Sequence, residues 1–480
     1  MITGYTGTAV RDAEQPLLEA GRGPELMAKA AYGLANAVAW RLRESGGTYG
    51  SSIVLLIGPG NNGGDALYAA TLLLNRGVRA TAVLVADRAH QEALTSFRLA
   101  GGRILKLDGR HEECLAVALS ADLVIDGILG IGARGGLRGE LAGFVERLAE
   151  HAPAVIACDL PSGLDADSGA VSGPLLAALE TVTFGAIKTG LLLPPGEEFC
   201  GELSQIDLGL ELGDAELRRL DEHDIVDHWP WPHRVDHKYS RGVLGVVAGS
   251  NAYPGAAHLA LRGALSAGTG MIRYLGPADP PPEVVRGAST VAANRVQAWL
   301  VGPGVVEDEA QQRRCLDALR SGLPVVADAG ALSLLPRELG PNIVLTPHAG
   351  ELATLLSGLG DRTERTDVER QPLRHAKRAV ELTGATVLLK GATTIVVGPD
   401  GQVYSQSEGT PWLATAGSGD TLAGIIGTLL ASGVEPALAA AMAASVHGRA
   451  GVLASQGGPI AASDIATAVP RVLGELSCLA

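Results

Sequence analysis

A short apolar run, a turn rich in glycine with acid or amide residues, and then helix-like sequence: this unit recurs along the chain and constrains its fold most. It is clearest at Ile53-Val54-Leu55-Leu56-Ile57, which leads into Gly58-Pro59-Gly60-Asn61-Asn62-Gly63-Gly64-Asp65-Ala66-Leu67. Strand-like runs recur at 53–57, 80–85, 123–125, 155–158 and 182–184, with helical stretches between most of them, as at 65–75 and 140–150. Alternation of this kind predicts a parallel sheet with helices on both faces. Upstream, 11–43 carries small apolar and charged residues at helical spacing. A second series of runs follows at 243–248, 298–301, 325–327, 343–345 and 387–389, and Ala-rich helices close the chain from Asp420 onward. Between the series the pattern breaks at 210–237, where His228-Trp229-Pro230-Trp231-Pro232-His233 places prolines that prevent a regular element. A chain of 480 residues also exceeds one ordinary core. The expected fold class is therefore α/β, with a doubly wound domain over 1–212, a linker over 213–235 and a second doubly wound domain over 236–480.

Charge and cysteine usage narrow the function classes. The net charge of -14 argues against a nucleic-acid backbone as the main partner, since phosphate tracking needs clustered Lys and Arg. The five cysteines (114, 158, 200, 315 and 478) are isolated and show no metal-ligand spacing, so a reducing cytoplasm is the expected setting. No charged-then-apolar leader follows Met1, and no apolar run is expected to be long enough to span a bilayer.

Ligands of open α/β sheets bind beyond the carboxyl ends of the strands. Three acid-bearing loops of the first half are expected there: Asn61-Asn62-Gly63-Gly64-Asp65, Asp126-Gly127-Ile128-Leu129-Gly130-Ile131-Gly132, and Asp159-Leu160-Pro161-Ser162-Gly163-Leu164-Asp165. Converging carboxylate, amide and hydroxyl oxygens suit a hard cation, and glycines let backbone N–H groups approach phosphate. Taken singly, a G-x-G-x-x-G is often only a tight turn, and Asp126 and Asp159 can each cap one. A dehydrogenase-type dinucleotide site gains support from Asp87, placed after the second run, but gives Asn61-Asn62 and Gly64-Asp65 no role.

The strings GPGNNGGDAL, DGILGIGARG and DLPSGLDAD, with Leu26-Met27 upstream and Phe184-Gly185-Ala186-Ile187-Lys188-Thr189-Gly190-Leu191 downstream, resemble the NAD(P)H-hydrate epimerases over most of 10–210. The resemblance implies a Rossmann-like domain with potassium held by Asn62, Asp126 and Ser162. It implies substrate contacts from Asn61, Asn62, Gly63, Gly64 and Asp65, from Gly130, Ile131, Gly132, Ala133, Arg134, Gly135 and Gly136, and from Asp159. Two departures stand out: Ala66 where glycine is usual, and Ala28-Lys29 where Glu-Asn is expected. A hydrated nicotinamide carries a hydroxyl on a ring carbon beside the ring nitrogen. The nitrogen lone pair helps expel it, and re-addition to the other face inverts the centre. Such a step needs a proton donor and charge stabilisation. Asp159 is the expected acid/base; Lys188 is its electrostatic support or a solvated surface lysine.

In the second half, Thr415-Ala416-Gly417-Ser418-Gly419-Asp420 opens a long helical run, where free N–H groups suit an anion and a carboxylate can take a hydroxyl proton. Lys390-Gly391-Ala392-Thr393-Thr394 and Gly302-Pro303-Gly304 each follow a strand-like run, while His348 in Thr346-Pro347-His348-Ala349-Gly350-Glu351 is ambiguous alone. The GSGD-plus-helix arrangement resembles the ribokinase-like superfamily. With His237-Lys238, Gly249-Ser250, Tyr253-Pro254-Gly255-Ala256, TPHAGE and KGATT, the stretch 236–475 resembles the NAD(P)H-hydrate dehydratases. This resemblance implies hydrate contacts at Ala256, Gly304, His348 and Asp420, with Asp420 as base. It implies nucleotide contacts at Lys390, Gly391, Ala392, Thr393, Thr394 and Gly419, and ADP with magnesium as co-substrate. The joint expectation is a cytoplasmic bifunctional repair enzyme acting on NADHX and NADPHX, without nucleic-acid or membrane partners, and a homo-oligomer such as a tetramer. The rival readings are a vitamin or sugar kinase with a dinucleotide-sensing domain, and a non-enzymatic scaffold.

Overall fold

The structure, a computed structural model, describes residues 1–133 and 135–479. It divides into two compact units, Thr3–Glu216 and Met1–Ile2 with Leu217–Ala480.

In the first unit, seven parallel strands form one sheet in the spatial order Arg103–Lys106, Arg79–Leu84, Ser52–Ile57, Leu123–Gly127, Val155–Cys158, Glu180–Phe184 and Glu202–Ile206. Successive side chains of a strand face opposite ways, and the core obeys that rule. Ile53, Leu55 and Ile57 pack with Leu34, Val38, Ala70 and Leu73, from the helices Gly23–Glu44 and Asn61–Leu74. Val54 and Leu56 pack with Leu115, Phe144 and Val145, from His111–Leu119 and Gly139–Ala149. Each strand is thus buried on both faces, which is why its sequence reads as a continuous apolar run. The chain winds outward in one direction from Ser52–Ile57 and in the other from Leu123–Gly127, with Leu56 beside Asp126. The strand order therefore reverses between those two strands, and a crevice opens at their carboxyl ends.

The second unit repeats the logic. Its strands run Val285–Arg286, Met271–Tyr274, Val243–Val247, Ala298–Val301, Val325–Ala327, Ile343–Leu345 and Thr386–Leu389, all parallel, followed by the antiparallel Thr394–Val397 and Val403–Gln406. The helix Ser418–Ala431 crosses Pro254–Ser266 closely. A Cβ on Gly424 would lie 2.2 Å from the Ala260 carbonyl oxygen, so only glycine permits that approach.

Three expectations need correction. Residues 61–65 are not a loop but the first turn of Asn61–Leu74, because Gly60 already adopts an extended cap conformation before them. The linker expected over 213–235 contains a strand, Leu217–Arg219, paired with Val403–Gln406, and a helix, Glu222–His228. Asp221 and Asp224 close a capping box at that helix, so local hydrogen bonding sustains order up to the prolines. Finally, Pro436–Ser455 is long and apolar enough by length and composition to cross a membrane. Its apolar window is 72% buried against the rest of the protein, as a core helix is.

Gly302 offers a test of the close packing after the strand Ala298–Val301. Its φ is +109°, and an added Cβ would sit 1.9 Å from the Asp328 carbonyl oxygen. Gly302→Ala is expected to destabilise the protein by about 1–3 kcal/mol through backbone strain. Denaturant unfolding checks this, and an unchanged midpoint would contradict the packing described.

Candidate active sites

In the first unit, a cavity of 640 Å³ lies at the carboxyl ends of the central strands. Asn61, Asn62 and Asp65 reach it from the start of Asn61–Leu74, and Gly130, Ile131, Gly132 and Ala133 from the loop after Leu123–Gly127. Asp159 and Lys188 complete the polar wall. Gly58 lets the loops meet: a Cβ there would lie 1.8 Å from the Ile128 carbonyl oxygen. Gly63 and Gly64 face away from the cavity, towards the Gly58 carbonyl and the His90 ring. Gly135 and Gly136 also lie off the cavity wall, Gly136 against the Ser172 carbonyl. Arg134 falls outside the described residues.

Lys188 is 1% exposed, which removes the surface-lysine alternative. Its Nζ donates to Asp159 Oδ1 in a short ion pair, to Thr183 Oγ1 at 3.0 Å and to the Phe184 carbonyl at 2.8 Å. Pairing of the strands Ile2–Tyr5 and Ile187–Lys188, with Tyr5 beside Lys188, fixes the lysine backbone. Asp159 also accepts from Thr183 Oγ1 at 3.2 Å and the Phe184 amide at 3.3 Å. Its φ of +71° is rare for a residue with a side chain, and such conformations concentrate at functional sites.

Asp126 and Ser162 lie beneath this cavity, each 1% exposed. The Ser162 hydroxyl and amide donate to the two carboxylate oxygens of Asp126, at 2.7 and 2.8 Å. Ser162 Oγ accepts from the Leu129 amide at 2.9 Å, and Asn62 Nδ2 donates to the Leu129 carbonyl at 2.8 Å. Burial raises the Asp126 carboxyl above its usual range, opposed by the Ser162 hydrogen bonds, and no lysine or arginine contributes. A buried carboxylate without a cationic side chain, beside an amide and a hydroxyl, is a hard oxygen donor set that fits a monovalent cation.

Two ionisable residues in this site carry no motif. Arg11 and Glu14, on the helix Gly7–Glu19, line the cavity with Gln15 and Leu18. Burial raises the Glu14 carboxyl, Lys188 opposes that rise and Asp159 adds to it. Only the helical spacing at 11–18 could have flagged them.

In the second unit, Asp420 lies in the first turn of Ser418–Ala431, which begins after Gly417 at φ +87°. Burial, then the charge of Asp328, pushes the Asp420 carboxyl up to about 7, against the pull of Lys390. Lys390 Nζ donates to Asp328 Oδ1 at 2.9 Å and lies 3.9 Å from Glu351 Oε2. Burial opposes the lysine charge, yet Asp328 and Glu351 outweigh it and raise its pKa. An added Cβ on Gly419 would come 3.2 Å from Lys390 Nζ, so the lysine reaches the helix start. Asp328 follows the strand Val325–Ala327 and also accepts from Thr346 Oγ1 at 2.8 Å; its position at a strand end was its only signal.

A bridge between His348 and Lys390 joins the TPHAGE and KGATT segments. His348 caps Ala349–Gly358: its Nδ1 accepts from the Gly350 and Glu351 amides at 3.1 and 3.2 Å. Its side chain remains 58% exposed. Gly391 and Ala392 follow Lys390, Thr393 is buried, and Thr394 starts the strand Thr394–Val397. A Cβ on Gly304 would lie 2.7 Å from Ala256 Cβ, so these two residues adjoin.

Comparison with known proteins adds to this geometry. Residues 23–190 match the family described as YjeF-related protein N-terminus, and 244–471 match the family described as NAD(P)H-hydrate dehydratase. A bifunctional NAD(P)H-hydrate repair enzyme, Nnr, of Mycobacterium leprae (strain TN) is 41% identical over 488 residues, covering 98% of each chain. The enzyme of the same name from Escherichia coli (strain K12) is 30% identical over 445 residues, covering 88% of this chain and 84% of its own. Among solved structures, an ADP/ATP-dependent NAD(P)H-hydrate dehydratase from Bacillus subtilis, co-crystallised with ATP and Mg2+, is 27% identical. It covers 54% of this chain and 98% of that one, with a TM-score of 0.49.

The raised Asp420 carboxyl generates a prediction. A carboxyl whose folded pKa exceeds its unfolded value binds protons more tightly in the folded state. Its stabilising contribution is complete below about 3.8 and is lost as pH rises through about 7. Asp420→Asn is therefore expected to raise stability at pH 8, on the order of a few kcal/mol, and to change it little at pH 3.5. Denaturant unfolding at both pH values measures this; an equal effect at the two would contradict it.

Proposed function

The chain belongs to the bifunctional NAD(P)H-hydrate repair enzymes, and from that premise we propose how its two sites divide the reaction. It is an enzyme with an epimerase half and a dehydratase half. The cavity of the first unit takes the R and S hydrates of NADH and NADPH and interconverts them. The site around Asp420 and Lys390 dehydrates the S form, with ADP as phosphoryl donor and AMP and phosphate as products. The observation that most supports this reading is the Asp159–Lys188 ion pair on the wall of a 640 Å³ cavity, a volume in the range of small-molecule sites.

For epimerisation, the hydroxyl must leave as water and return to the opposite face. Lys188 pairs with Asp159 and orients its carboxyl, placing it to take a proton and to face the positive charge that develops on the ring. Asn62, Asp126 and Ser162 are the residues that would hold potassium. When bound, it would supply positive charge at the start of Asn61–Leu74, where a pyrophosphate would lie.

For dehydration, hydroxide is a poor leaving group and phosphate a better one. Asp420 takes the proton of the ring hydroxyl as that oxygen receives the phosphoryl group. Loss of phosphate then restores the dihydronicotinamide. Lys390, tied to Asp328, presents its charge to the nucleotide phosphates, with the Gly391–Thr394 segment and the Gly419 amide beside it. Magnesium enters with the nucleotide as part of the co-substrate.

The two sites can be separated by fluorimetry of returning NADH with each purified hydrate. Asp159→Ala is expected to abolish use of the R form while the S form is still dehydrated. Asp420→Asn should lower dehydration of both forms by roughly 10²-fold or more. Full activity of either variant would remove that residue's assignment. Replacing potassium by sodium should slow epimerisation and leave dehydration of the S form unchanged; equal effects on both would contradict the cation assignment.

A further inference from the structure

Asp65 is an acid of the first cavity that the mechanism above leaves unused. It is 8% exposed and lines the cavity from the first turn of Asn61–Leu74. Among the described residues, no hydrogen bond or ion pair reaches its carboxyl. Asp159, on the same cavity, is bonded to Lys188, Thr183 and Phe184. The cavity thus holds one carboxyl ion-paired to a buried ammonium and, among the described residues, one with no such partner. A carboxyl so placed is stable as the neutral acid, which has a proton to give.

We propose that Asp65 is the proton donor of the epimerising site and Asp159 its proton acceptor, an acid and a base working on opposite faces of the hydrated ring. The proposal rests on the reading of this cavity as the hydrate site. The bond between the ring carbon and its hydroxyl breaks as the nitrogen pair forms a carbon–nitrogen double bond. The departing oxygen takes the Asp65 proton and leaves as water. A second water adds to the other face of that carbon and gives its proton to Asp159, while the nitrogen recovers its electron pair. One water leaves and one enters, and one proton passes from Asp65 to Asp159. The reverse reaction exchanges the two roles, as inversion of a centre in both directions requires.

The charges around Asp65 fit this division. Burial raises its carboxyl well above the usual range, and the Asp159 and Glu14 carboxylates raise it further. Glu14 and Arg11 face the cavity from Gly7–Glu19, Lys188 stands behind Asp159, and His90 packs on Gly64. Cys158, under the same helix, has its thiol raised by burial and then by Asp65, so it offers no competing anion. Pairs of groups whose surroundings push them towards opposite protonation states are the usual acid and base assignments.

The test uses the full-length chain and purified hydrates. In the wild type, kcat/KM for epimerisation should fall at alkaline pH as Asp65 loses its proton. Asp65→Asn, which keeps the side-chain shape, is expected to lower epimerisation ~10²-fold or more and to abolish that alkaline limb. Hydrate binding and dehydration of the S form should persist, showing that the chain is folded. Labelled water should enter the inverted product. Wild-type epimerisation by Asp65→Asn, loss of hydrate binding together with activity, or retention of the original oxygen would each overturn the proposal. If the wild type fails to interconvert the hydrates at all, the reading of the cavity itself is wrong.

Discussion

Burying a carboxylate in a protein costs several kcal/mol unless something offsets it; among the described residues Asp65, Asp126, Asp159 and Asp328 are buried near the carboxyl ends of parallel strands, and Asp420 is half-buried. Three are offset visibly. Asp159 has Lys188, Asp328 has Lys390, and Asp126 has the hydroxyl and amide of Ser162. The other two, Asp65 and Asp420, receive no hydrogen bond to their carboxyls, and burial raises both. Each unit therefore pairs one carboxylate neutralised by a lysine, buried at Lys188 and half-buried at Lys390, with a second carboxyl without a cationic partner. The pairing recurs although the two sheets differ in length and in their edge strands.

The lysines make this arrangement possible. A buried ammonium is as costly as a buried carboxylate, so the two must be placed together by the fold. For Lys188, strand pairing at Tyr5 fixes the backbone, while Thr183 and Phe184 take its remaining donors. For Lys390, the amide bond to the Pro347 carbonyl and the bridge to His348 fix it at the edge of the TPHAGE turn. The His348 cap then has a structural duty: it holds Glu351 at the start of its helix, within reach of Lys390. Removing either lysine would leave a charge stranded in a site of low polarity.

Much of this was legible in the sequence because parallel strands buried on both faces leave an unmistakable apolar run. The runs at 155–158, 298–301, 325–327 and 343–345 coincide with strands. The strands Glu202–Ile206 and Val403–Gln406 escaped because polar residues interrupt them, and Thr394–Val397, an antiparallel strand, because its apolar run is only three residues long. The motif residues Asn61, Asn62, Asp159 and Lys390 were readable because glycine-rich turns surround them. Glu14, Arg11 and Asp328 were not, since helical spacing or a strand end alone marks many residues without chemistry. The helical state of 61–65 was hidden by its glycines, which weaken helices in isolation. Here they are accepted because the backbone of that turn meets Gly58 and His90 too closely for a side chain.

The glycines and the carboxylates are two sides of one constraint. A Cβ on Gly58 would strike the Ile128 carbonyl, one on Gly302 the Asp328 carbonyl, and one on Gly419 would crowd Lys390. Gly58 and Gly302 each follow a strand at the reversal of strand order, so in each unit the backbone comes closer there than side chains allow. Burial is the first cause of the raised Asp65 and Asp420 pKa values, so looser packing around them would return both towards ordinary carboxyl behaviour. Close packing and a raised pKa are thus linked, and a chain that relaxed the first would lose the second.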